Sequence, residues 1–517
     1  MRHMDHREVK KCSWERRFYL LFFFVLIFRI IYLALPPLDL SPDEAYYWDW
    51  SRVLDWGYYS KPPMVAWIMA FSTFLGGNNV FSVRLPSIIL GSITILATYL
   101  FAKRLYGKKA GFFAGLTIIA IPGNAVLSLV MTIDAPLMCF WALSCLFLWM
   151  ALEPYEKDTP RRPLFWLLAA FFAGMGLLSK QTMAAFPVMA FLFVLFSAKT
   201  RKILKSPWPY LCVLIVLLML TPFLYWNFEH GWITFLHTAH HFEPNEMKKA
   251  LNLSSFLEFA GSQAGFVSPL LWLLFIASGF SVILNMRKPA VWKTDVSYLT
   301  FLGFIPLLGI FVLSMRQDIN ANWPAPFYIT LSILLAGIYV KKISPESPRL
   351  FSFIKQLYKP ALYLGLFMVI LLYSSPWALP LLKLDGSSID PTKRFKGWKE
   401  LGAVIDKIYY DLPDYDRTII ICKNRQTVSE LAFYMPGQPK IYHWRGAPDR
   451  IKSQYQLWPG PETKKGWNVL YITKAKKVPV RLQESLEKME HIKVISIKTG
   501  SKGKRTYQLY YGVSLNL

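Results

Sequence analysis

The sequence has few charged residues, few cysteines and none of the short glycine motifs that mark a nucleotide-binding enzyme. Charged residues make up 17% of its 517 positions and hydrophobic residues 54%, which excludes disordered and fibrous chains. Its five cysteines show no paired spacing, so we expect neither disulfides nor a thiolate metal site. No nucleotide-binding glycine loop is apparent, which argues against a nucleotide ligand.

Long apolar runs recur through the first three quarters of the chain. Most are about 17 to 22 residues long, the length that crosses a bilayer, so the sequence predicts a membrane all-α protein of about eleven transmembrane helices. The first run, 18–35, precedes a poor cleavage site and is interpreted as an uncleaved helix. The run 62–75 is short and begins with two prolines, which favours a helix at the membrane interface in the first outer loop.

Lysine and arginine cluster in alternate loops between the apolar runs. Examples are Lys103-Arg104, Arg161-Arg162 and Lys341-Lys342. Because short basic loops stay in the cytoplasm, the alternation predicts a cytoplasmic N-terminus and an exported C-terminal tail. The net charge of +26 therefore accompanies membrane spans, and no nucleic-acid partner is expected. We predict a transmembrane domain over 1–381 and a periplasmic domain over 382–517.

The tail alternates apolar strands with amphipathic stretches. Segments 417–422 and 467–473 are typical of buried strands. Segments 398–409, 427–434 and 480–489 are interpreted as helices. The tail is thus predicted to be a small soluble α/β domain.

Two acids follow the first membrane helix in the run Ser41-Pro-Asp-Glu-Ala-Tyr-Tyr-Trp48. Carboxylates so close to a membrane are costly unless they face water or a ligand, so Asp43 and Glu44 are candidate catalytic residues. A solvated loop carboxylate, or an acid that caps the helix, is the alternative.

The segment Gly57-Tyr-Tyr-Ser-Lys-Pro-Pro63 has the composition of a phosphate site. A proline in the first turn of a helix leaves neighbouring N–H groups pointing outward, and Lys61 adds a positive charge at the same end. Pairing of Lys61 with lipid headgroups is the alternative.

Further ionisable residues fall on the same side of the membrane under the predicted topology. They are Arg84, Asp134, Lys180, Arg316 and Asp318. Each alone is readily explained as a packing charge, but Asp134 and Lys180 occupy short outer turns that must lie near the membrane. Two carboxylates and several cations in one pocket open to lipid would suit a lipid-linked phosphosugar.

The outer loop 227–261 is rich in histidine. His237 and His241 would share a helical face and, with a carboxylate, would bind zinc. The alternative is that His237, His240 and His241 lie at the interface and contact substrate. No HExxH motif occurs.

At these residues the chain resembles GT-C glycosyltransferases of the family 39, protein-mannosyltransferase-like, type, which in bacteria include the lipid A aminoarabinose transferases and the galacturonic acid transferases of lipopolysaccharide core. The resemblance rests on these segments: Asp43-Glu44-Ala-Tyr-Tyr-Trp, Tyr58-Tyr59-Ser-Lys-Pro-Pro, Thr132-Ile-Asp134, Leu178-Ser-Lys180 and Asn322-Trp323-Pro-Ala-Pro326.

The resemblance implies roles for individual residues. Asp43 would be the general base or would orient the acceptor, and Asp134 would be a second acid of the cavity. Lys61 and Lys180 would bind the donor phosphate. The other candidates divide between the donor phosphate (Arg84, Tyr58, Tyr59) and the rest of the substrates (His237, His240, His241, Arg316, Trp323).

Ser60 departs from the pattern of the aminoarabinose transferases, which carry at that position an acid that takes part in a zinc site. We therefore do not expect that metal, and no cofactor is predicted with certainty. A divalent metal bound elsewhere stays the alternative.

The predicted function is transfer of a sugar, with inversion, from a polyprenyl-phosphate donor to an acceptor at the periplasmic face of the bacterial inner membrane. Lipid A or another lipopolysaccharide is the expected acceptor. A protein O-glycosyltransferase of the same fold and a lipid-linked sugar transporter or flippase are the alternatives. The transporter predicts charges on both membrane faces and two similar halves, which the sequence does not show.

Overall fold

A computed structural model describes residues 13–35, 38–157, 162–240, 252–285, 294–343, 347–446 and 451–517. His241 lies outside the described residues, as does the side chain of His240.

Helices dominate the chain up to residue 381. In order they are α1 (Ser13–Ala34), α2 (Pro42–Ser51), α3 (Met64–Gly76), α4 (Val80–Tyr106), α5 (Lys108–Ile119), α6 (Pro122–Leu127), α7 (Asp134–Lys157), α8 (Pro163–Leu177), α9 (Ala185–Phe196), α10 (Trp208–Glu229), α11 (Ile233–His240), α12 (Leu253–Val267), α13 (Pro269–Asn285), α14 (Thr294–Leu302), α15 (Phe304–Ser314), α16 (Phe327–Tyr339) and α17 (Pro348–Leu381).

Six helical segments of the described chain are long and apolar enough to cross a membrane. They are α1, α4, α7, α10, the pair α14–α15 and α17. The pair α12 and α13 passes the same test together but bends by 110°, which makes up to seven. Apolar helices of 10–17 residues, among them α3, α8 and α16, accompany them. The predicted membrane all-α architecture is confirmed at this level.

The spanning helices differ in how deeply they are buried. In α7, 83% of the apolar window is buried inside the protein, whereas in α10 the share is 17%. A helix that is apolar on every side and still exposed requires lipid around it. The bundle therefore has α4 and α7 near its centre and α1, α10 and α17 at its rim.

Two short helices follow α1 in the first outer loop. Ser41 begins α2 with a capping box: its Oγ accepts from the N–H of Glu44, and Glu44 Oε2 accepts from the N–H of Ser41. The apolar α3 starts directly after Pro62-Pro63. The sequence predicted a helix here, and its position at the membrane interface stays a prediction.

The C-terminal region forms a five-stranded mixed sheet with helices beside it. The helices are α18 (Trp398–Tyr410), α19 (Arg425–Tyr434) and α20 (Val480–Glu484). The strands are β1 (Thr418–Cys422), β2 (Tyr442–His443), β3 (Asn468–Thr473), β4 (Leu486–Gly500) and β5 (Gly503–Leu515), in the order β2-β1-β3-β5-β4. β1 pairs in parallel with β2 and β3, and β5 runs antiparallel to β3 and β4.

One predicted element of this region is wrong. The segment 480–489 was expected to be a helix, but α20 ends at Glu484 and the chain enters β4 at Leu486. Met489 lies opposite Gly512 in β5. Pairing with β5 outweighs the local helical pattern, as tertiary context often does.

The sheet domain packs directly on the first outer loop. The ring of Trp48 meets Phe433 edge-on at 4.8 Å between centroids. The N–H of Leu40 donates to the hydroxyl of Tyr434 at 2.6 Å, and the N–H of Gln454 donates to the hydroxyl of Tyr46 at 2.6 Å. Residues of α2 and α19 thus share one hydrophobic core.

Candidate active site

The loop that carries Lys61 is held from several sides. The ring of Tyr58 is fully buried and stacks on Trp50 with centroids 4.4 Å apart. The backbone carbonyl oxygen of Tyr58 accepts a hydrogen bond from Thr234 Oγ1 at 2.8 Å. At the other end, the N–H of Met64 donates to the carbonyl oxygen of Leu178 at 3.1 Å. These contacts fix Lys61 between α2 and the turn that follows α8.

Lys180 and Asp134 form a buried ion pair. Lys180 Nζ lies 2.7 Å from Asp134 Oδ1, and both side chains are at most 7% exposed. Asn322 Nδ2 donates to the other carboxylate oxygen at 2.8 Å. Three turns far apart in sequence therefore meet at one point, as the sequence predicted for Asp134 and Lys180.

Lys61 is half-buried and lies near this pair, whose charges act on it. Within the described part of the chain, its side chain has no hydrogen-bond or ion-pair partner. Burial, and then the nearby charge of Lys180, lower the pKa of Lys61 to about 8, while Asp134 and Asp43 act in the opposite direction. A half-buried cation without an ion-pair partner among the described residues is a candidate site for an anion.

Asp43 stands at the first turn of α2 and is 37% exposed. Its two oxygens pair with two arginines of the C-terminal region, Arg394 at 3.2 Å and Arg425 at 3.1 Å. The guanidinium of Arg425 also lies 4.4 Å from the centre of the Tyr46 ring. Asp43 thus pairs with two arginines, and its charge also acts on Lys61.

Glu44 and Arg84 form a second buried ion pair. Glu44 is fully buried and accepts from Arg84 Nε and Nη2, each at 2.9 Å, and from the N–H of Met131 at 3.1 Å. Arg84 gives its remaining bonds to the carbonyl oxygens of Leu38 and Asp39. A pair so fully engaged with the protein fits a positioning role better than the catalytic and phosphate-binding roles expected from the sequence.

Tyr58 differs from expectation in a similar way. Its hydroxyl contacts only backbone groups in the described residues: it bonds to the carbonyl oxygens of Trp50 and Val53 and accepts from the N–H of Asp55. The buried ring stabilises the loop, and its place beside the donor stays a prediction.

Tyr59 faces the histidine-rich segment. Its hydroxyl lies 3.2 Å from His237 Nδ1, and its N–H donates to Gln454 Oε1 at 2.7 Å. The structure therefore brings His237 to the loop of Lys61. Among the described residues, no group of three or more His, Cys, Asp or Glu is arranged to hold a metal ion.

The remaining candidates lie around the end of α15. Arg316 is exposed and pairs with none of the other candidates in the described part of the chain. Asp318 accepts from Ser255 Oγ at 3.0 Å. Trp323 is half-buried next to Asn322, the residue that reaches Asp134.

Sequence reasoning missed Arg394, Arg425 and the side chain of Asn322. Asn322 stands in a motif that was recognised, so its amide could have been proposed as a partner for an acid. The two arginines lie more than 350 positions from Asp43, and no local pattern connects them.

Comparison with known proteins finds that part of the chain is similar to glycosyltransferases. Residues 60–226 match a family described as dolichyl-phosphate-mannose-protein mannosyltransferase. The chain is 28% identical over 322 residues to the lipid A galacturonosyltransferase RgtD of Rhizobium johnstonii, covering 61% of this chain and 64% of that protein. It is 25% identical over 312 residues to the undecaprenyl phosphate-alpha-4-amino-4-deoxy-L-arabinose arabinosyl transferase 1 of Pseudomonas fluorescens, covering 57% and 52%. The matched region thus spans less than two thirds of these relatives.

The fold is that of ArnT from Cupriavidus metallidurans. The crystal structure of that protein bound to undecaprenyl phosphate aligns with a TM-score of 0.62 at 16% identity, over 96% of this chain and 98% of that one. The archaeal oligosaccharyltransferase AglB from Archaeoglobus fulgidus aligns with a TM-score of 0.53 at 12% identity, over 89% and 70%. The resemblance predicted from the first outer loop is confirmed.

Proposed function

We propose that this chain is an integral membrane glycosyltransferase that moves a sugar, with inversion, from a polyprenyl-phosphate donor to lipid A or another lipopolysaccharide at the periplasmic face of the inner membrane. The observation that carries the proposal is the position of Lys61. This cation has no ion-pair partner among the described residues, and it lies near the buried Lys180–Asp134 pair and near Asp43. The names of RgtD and of the arabinosyl transferases supply the donor and acceptor classes.

The donor phosphate would bind at Lys61. When the bond between sugar and phosphate breaks, negative charge grows on the leaving phosphate, and a fixed cation stabilises that charge in the transition state. Asp134 holds Lys180 in place through the 2.7 Å ion pair, and Asn322 holds Asp134. We assign Lys61 and Lys180 to the donor, and Asp134 to positioning Lys180.

The acceptor would approach from the side of Asp43. Attack opposite the departing phosphate inverts the anomeric carbon. Asp43 would take the proton of a hydroxyl acceptor, which typically contributes about 10² to 10⁴ in rate, or orient an acceptor that is already an anion. In the second case Arg394 and Arg425 would neutralise the acceptor charge beside Asp43.

The proposed arrangement in the membrane has eleven spans, an N-terminus in the cytoplasm and a periplasmic domain over 382–517. Eleven is reached by counting the six long segments, the shorter helices α8, α9 and α16, the helix α13 and the segment α5–α6 as spans, with α3 as interfacial. The contact of Asp43 with Arg425 also supports an odd number of spans. It requires the first outer loop and the C-terminal region to lie on the same side of the membrane.

A reconstituted transfer assay tests the proposal. The purified full chain in detergent is supplied with polyprenyl phosphate carrying galacturonic acid or 4-amino-4-deoxy-L-arabinose, and with lipid A, and the mass of lipid A is followed. We expect a mass increase of one sugar with one of these donors. Lys61→Ala should lower kcat by about 10² to 10³, the usual loss for one electrostatic contact. Asp43→Asn should lower it by about 10² to 10⁴.

The matched control is Lys399→Ala, which removes an exposed lysine at the start of α18. It should retain wild-type transfer. Wild-type turnover in Lys61→Ala or in Asp43→Asn would overturn the site assignment. In a parallel experiment with the chain in liposomes, movement of the donor lipid between leaflets without sugar transfer would instead favour the flippase.

A further inference from the structure

A cavity lies where the C-terminal region meets the end of α2. It has a volume of about 230 Å³ and opens to the surface. Charged and aromatic side chains from both parts of the chain line it: Asp49, Arg52, Lys440, Tyr442, Tyr455 and Trp458. The transfer step proposed above uses none of them.

A buried carboxylate lies at the base of this cavity. Asp49 Oδ2 accepts from the hydroxyl of Tyr455 at 2.8 Å, and Oδ1 pairs with Arg52 Nη1 at 3.2 Å. Burial raises the pKa of Asp49, and the charge of Arg52 opposes that effect. Each carboxylate oxygen accepts more than one hydrogen bond, so these contacts leave capacity for hydroxyl groups of a ligand.

The cavity has an excess of positive charge. Lys440 Nζ donates to the carbonyl oxygen of Pro459 at 3.1 Å and lies 4.9 Å from the centre of the Tyr442 ring. An ammonium has three N–H groups, so one such bond leaves donors for a ligand. Burial lowers the pKa of His443 to about 4, so this histidine is neutral at pH 7. Two cations therefore face one carboxylate, which favours an anionic ligand.

Aromatic rings supply the apolar part of the wall. The rings of Tyr455 and Trp458 lie 5.7 Å apart at 74°, so they present faces in two directions. Aromatic faces with a few convergent polar groups are typical of small-ligand sites. A sugar ring matches this mixture, because its C–H face stacks on an aromatic ring while its hydroxyls bond to carboxylate and ammonium groups.

The geometry points to an acceptor subsite: this cavity binds an acidic sugar of the acceptor's headgroup, next to the transfer site. Asp49 and Asp43 lie on the same helix, α2. Six residues at 1.5 Å each separate them by about 9 Å along its axis. A glycolipid anchored in the bilayer would thus present its reacting group to Asp43 and its outer sugar to Asp49. The inference rests on the proposed function for the identity of the acceptor.

Direct binding tests the cavity without any transfer. Saturation-transfer NMR on the full chain in detergent would use a disaccharide of 3-deoxy-octulosonic acid, a carboxylated sugar, as the probe. We expect binding to the wild type, and a dissociation constant at least about tenfold weaker in Lys440→Ala and in Trp458→Ala, a loss of about 1.4 kcal/mol. Lys488→Ala, on the exposed outer strand β4, is the matched control and should bind as the wild type does.

Two results of the binding experiment would overturn the subsite. One is equal binding by the wild type and both cavity variants. The other is equal displacement by inorganic phosphate and by the disaccharide, which would mean a simple anion site. Lys440 is exposed and Trp458 half-buried, and thermal unfolding of each variant checks that the fold is retained.

Transfer kinetics test the second half of the inference. With lipid A that carries its acidic inner-core sugars, Lys440→Ala and Trp458→Ala should raise the acceptor KM about tenfold more than with bare lipid A. An equal rise with both acceptors would contradict the subsite. Binding of the disaccharide without any sugar transfer would count against the proposed function and leave the cavity assignment standing.

Discussion

Lys61 should make the rate of the proposed transfer depend on pH. Burial and Lys180 lower the pKa of its ammonium from 10.5 to about 8 in the folded protein. A lysine is charged below its pKa and neutral above it, so the free enzyme loses this charge as the pH rises through about 8. If the charge binds the donor phosphate, kcat/KM for the donor should fall about tenfold per pH unit above that point. Initial rates between pH 6.5 and 9.5 measure this.

Lys61→Arg provides the check on that pH profile. Arginine stays protonated over the whole range, so the variant should keep a flat profile even if its rate is lower. A profile that still falls near pH 8 in Lys61→Arg would assign the titration to another group.

The adjacent acids of α2 should respond differently to loss of charge. Glu44→Gln leaves Arg84 buried without its carboxylate partner, which typically costs about 3 to 5 kcal/mol. Asp43→Asn removes half-exposed ion pairs worth about 0 to 1 kcal/mol. Thermal unfolding in detergent should therefore show a clear fall in Tm for Glu44→Gln and little change for Asp43→Asn. A larger fall for Asp43→Asn would reverse the assignment of the two residues.

The difference between these acids was partly readable from the sequence. Ser41-Pro-Asp-Glu44 has the pattern of a capping box, which places the glutamate against the start of the helix and leaves the aspartate outward. The ion pair with Arg84 was not readable, because 40 positions separate the two residues and only the packing of α4 on the loop joins them.

At the level of elements, close helix contacts hold the bundle that carries the site. Gly365 of α17 packs against the carbonyl oxygen of Ala120, just after α5, and a Cβ at this position would press on that backbone. Gly365→Ala should therefore push α17 away and lower stability by about 1 to 3 kcal/mol, the usual cost of overpacking. The measurement is the Tm of the purified protein.

Gly309 of α15 is the matched control for this substitution. A Cβ there meets nothing within 4 Å among the described residues. Gly309→Ala should leave Tm unchanged or raise it slightly, because alanine favours helix over glycine by about 1 kcal/mol. Equal effects of the two substitutions would mean that the α17 contact is not close.

Elements were predictable where local pattern and tertiary pairing agree. β1 and β3 are continuous apolar runs buried on both faces, and the sequence located both within one residue. β4 has charged residues along its exposed face, and its pairing partner β5 is set by the following turn. The helical interpretation of 480–489 failed there because a short amphipathic stretch gives no information on a partner strand.

At the scale of the whole molecule, the site is built from two regions that the sequence treats as separate. Local patterns located Lys61, Asp134 and Lys180, all of which stand in turns next to membrane helices. They gave no sign that α19 would pack on α2 or that Arg425 would reach Asp43. A contact between residues 382 positions apart depends on the whole fold. Only the fold reveals that the C-terminal region contributes Arg425 to the site around Asp43.

The contact between these two regions limits the possible arrangements in the membrane. Since Arg425 pairs with Asp43, the C-terminal region lies on the same side as the first outer loop. Under the proposed topology, the basic turn Lys103-Arg104 at the other end of α4 should lie in the cytoplasm. Alkaline phosphatase, which folds to an active form only outside the cytoplasm, should be active when fused after Leu382 and inactive when fused after Gly107. An active fusion after Gly107, or an inactive fusion after Leu382, would place Asp43 and Lys61 on the cytoplasmic face. The site could then not act on a periplasmic acceptor.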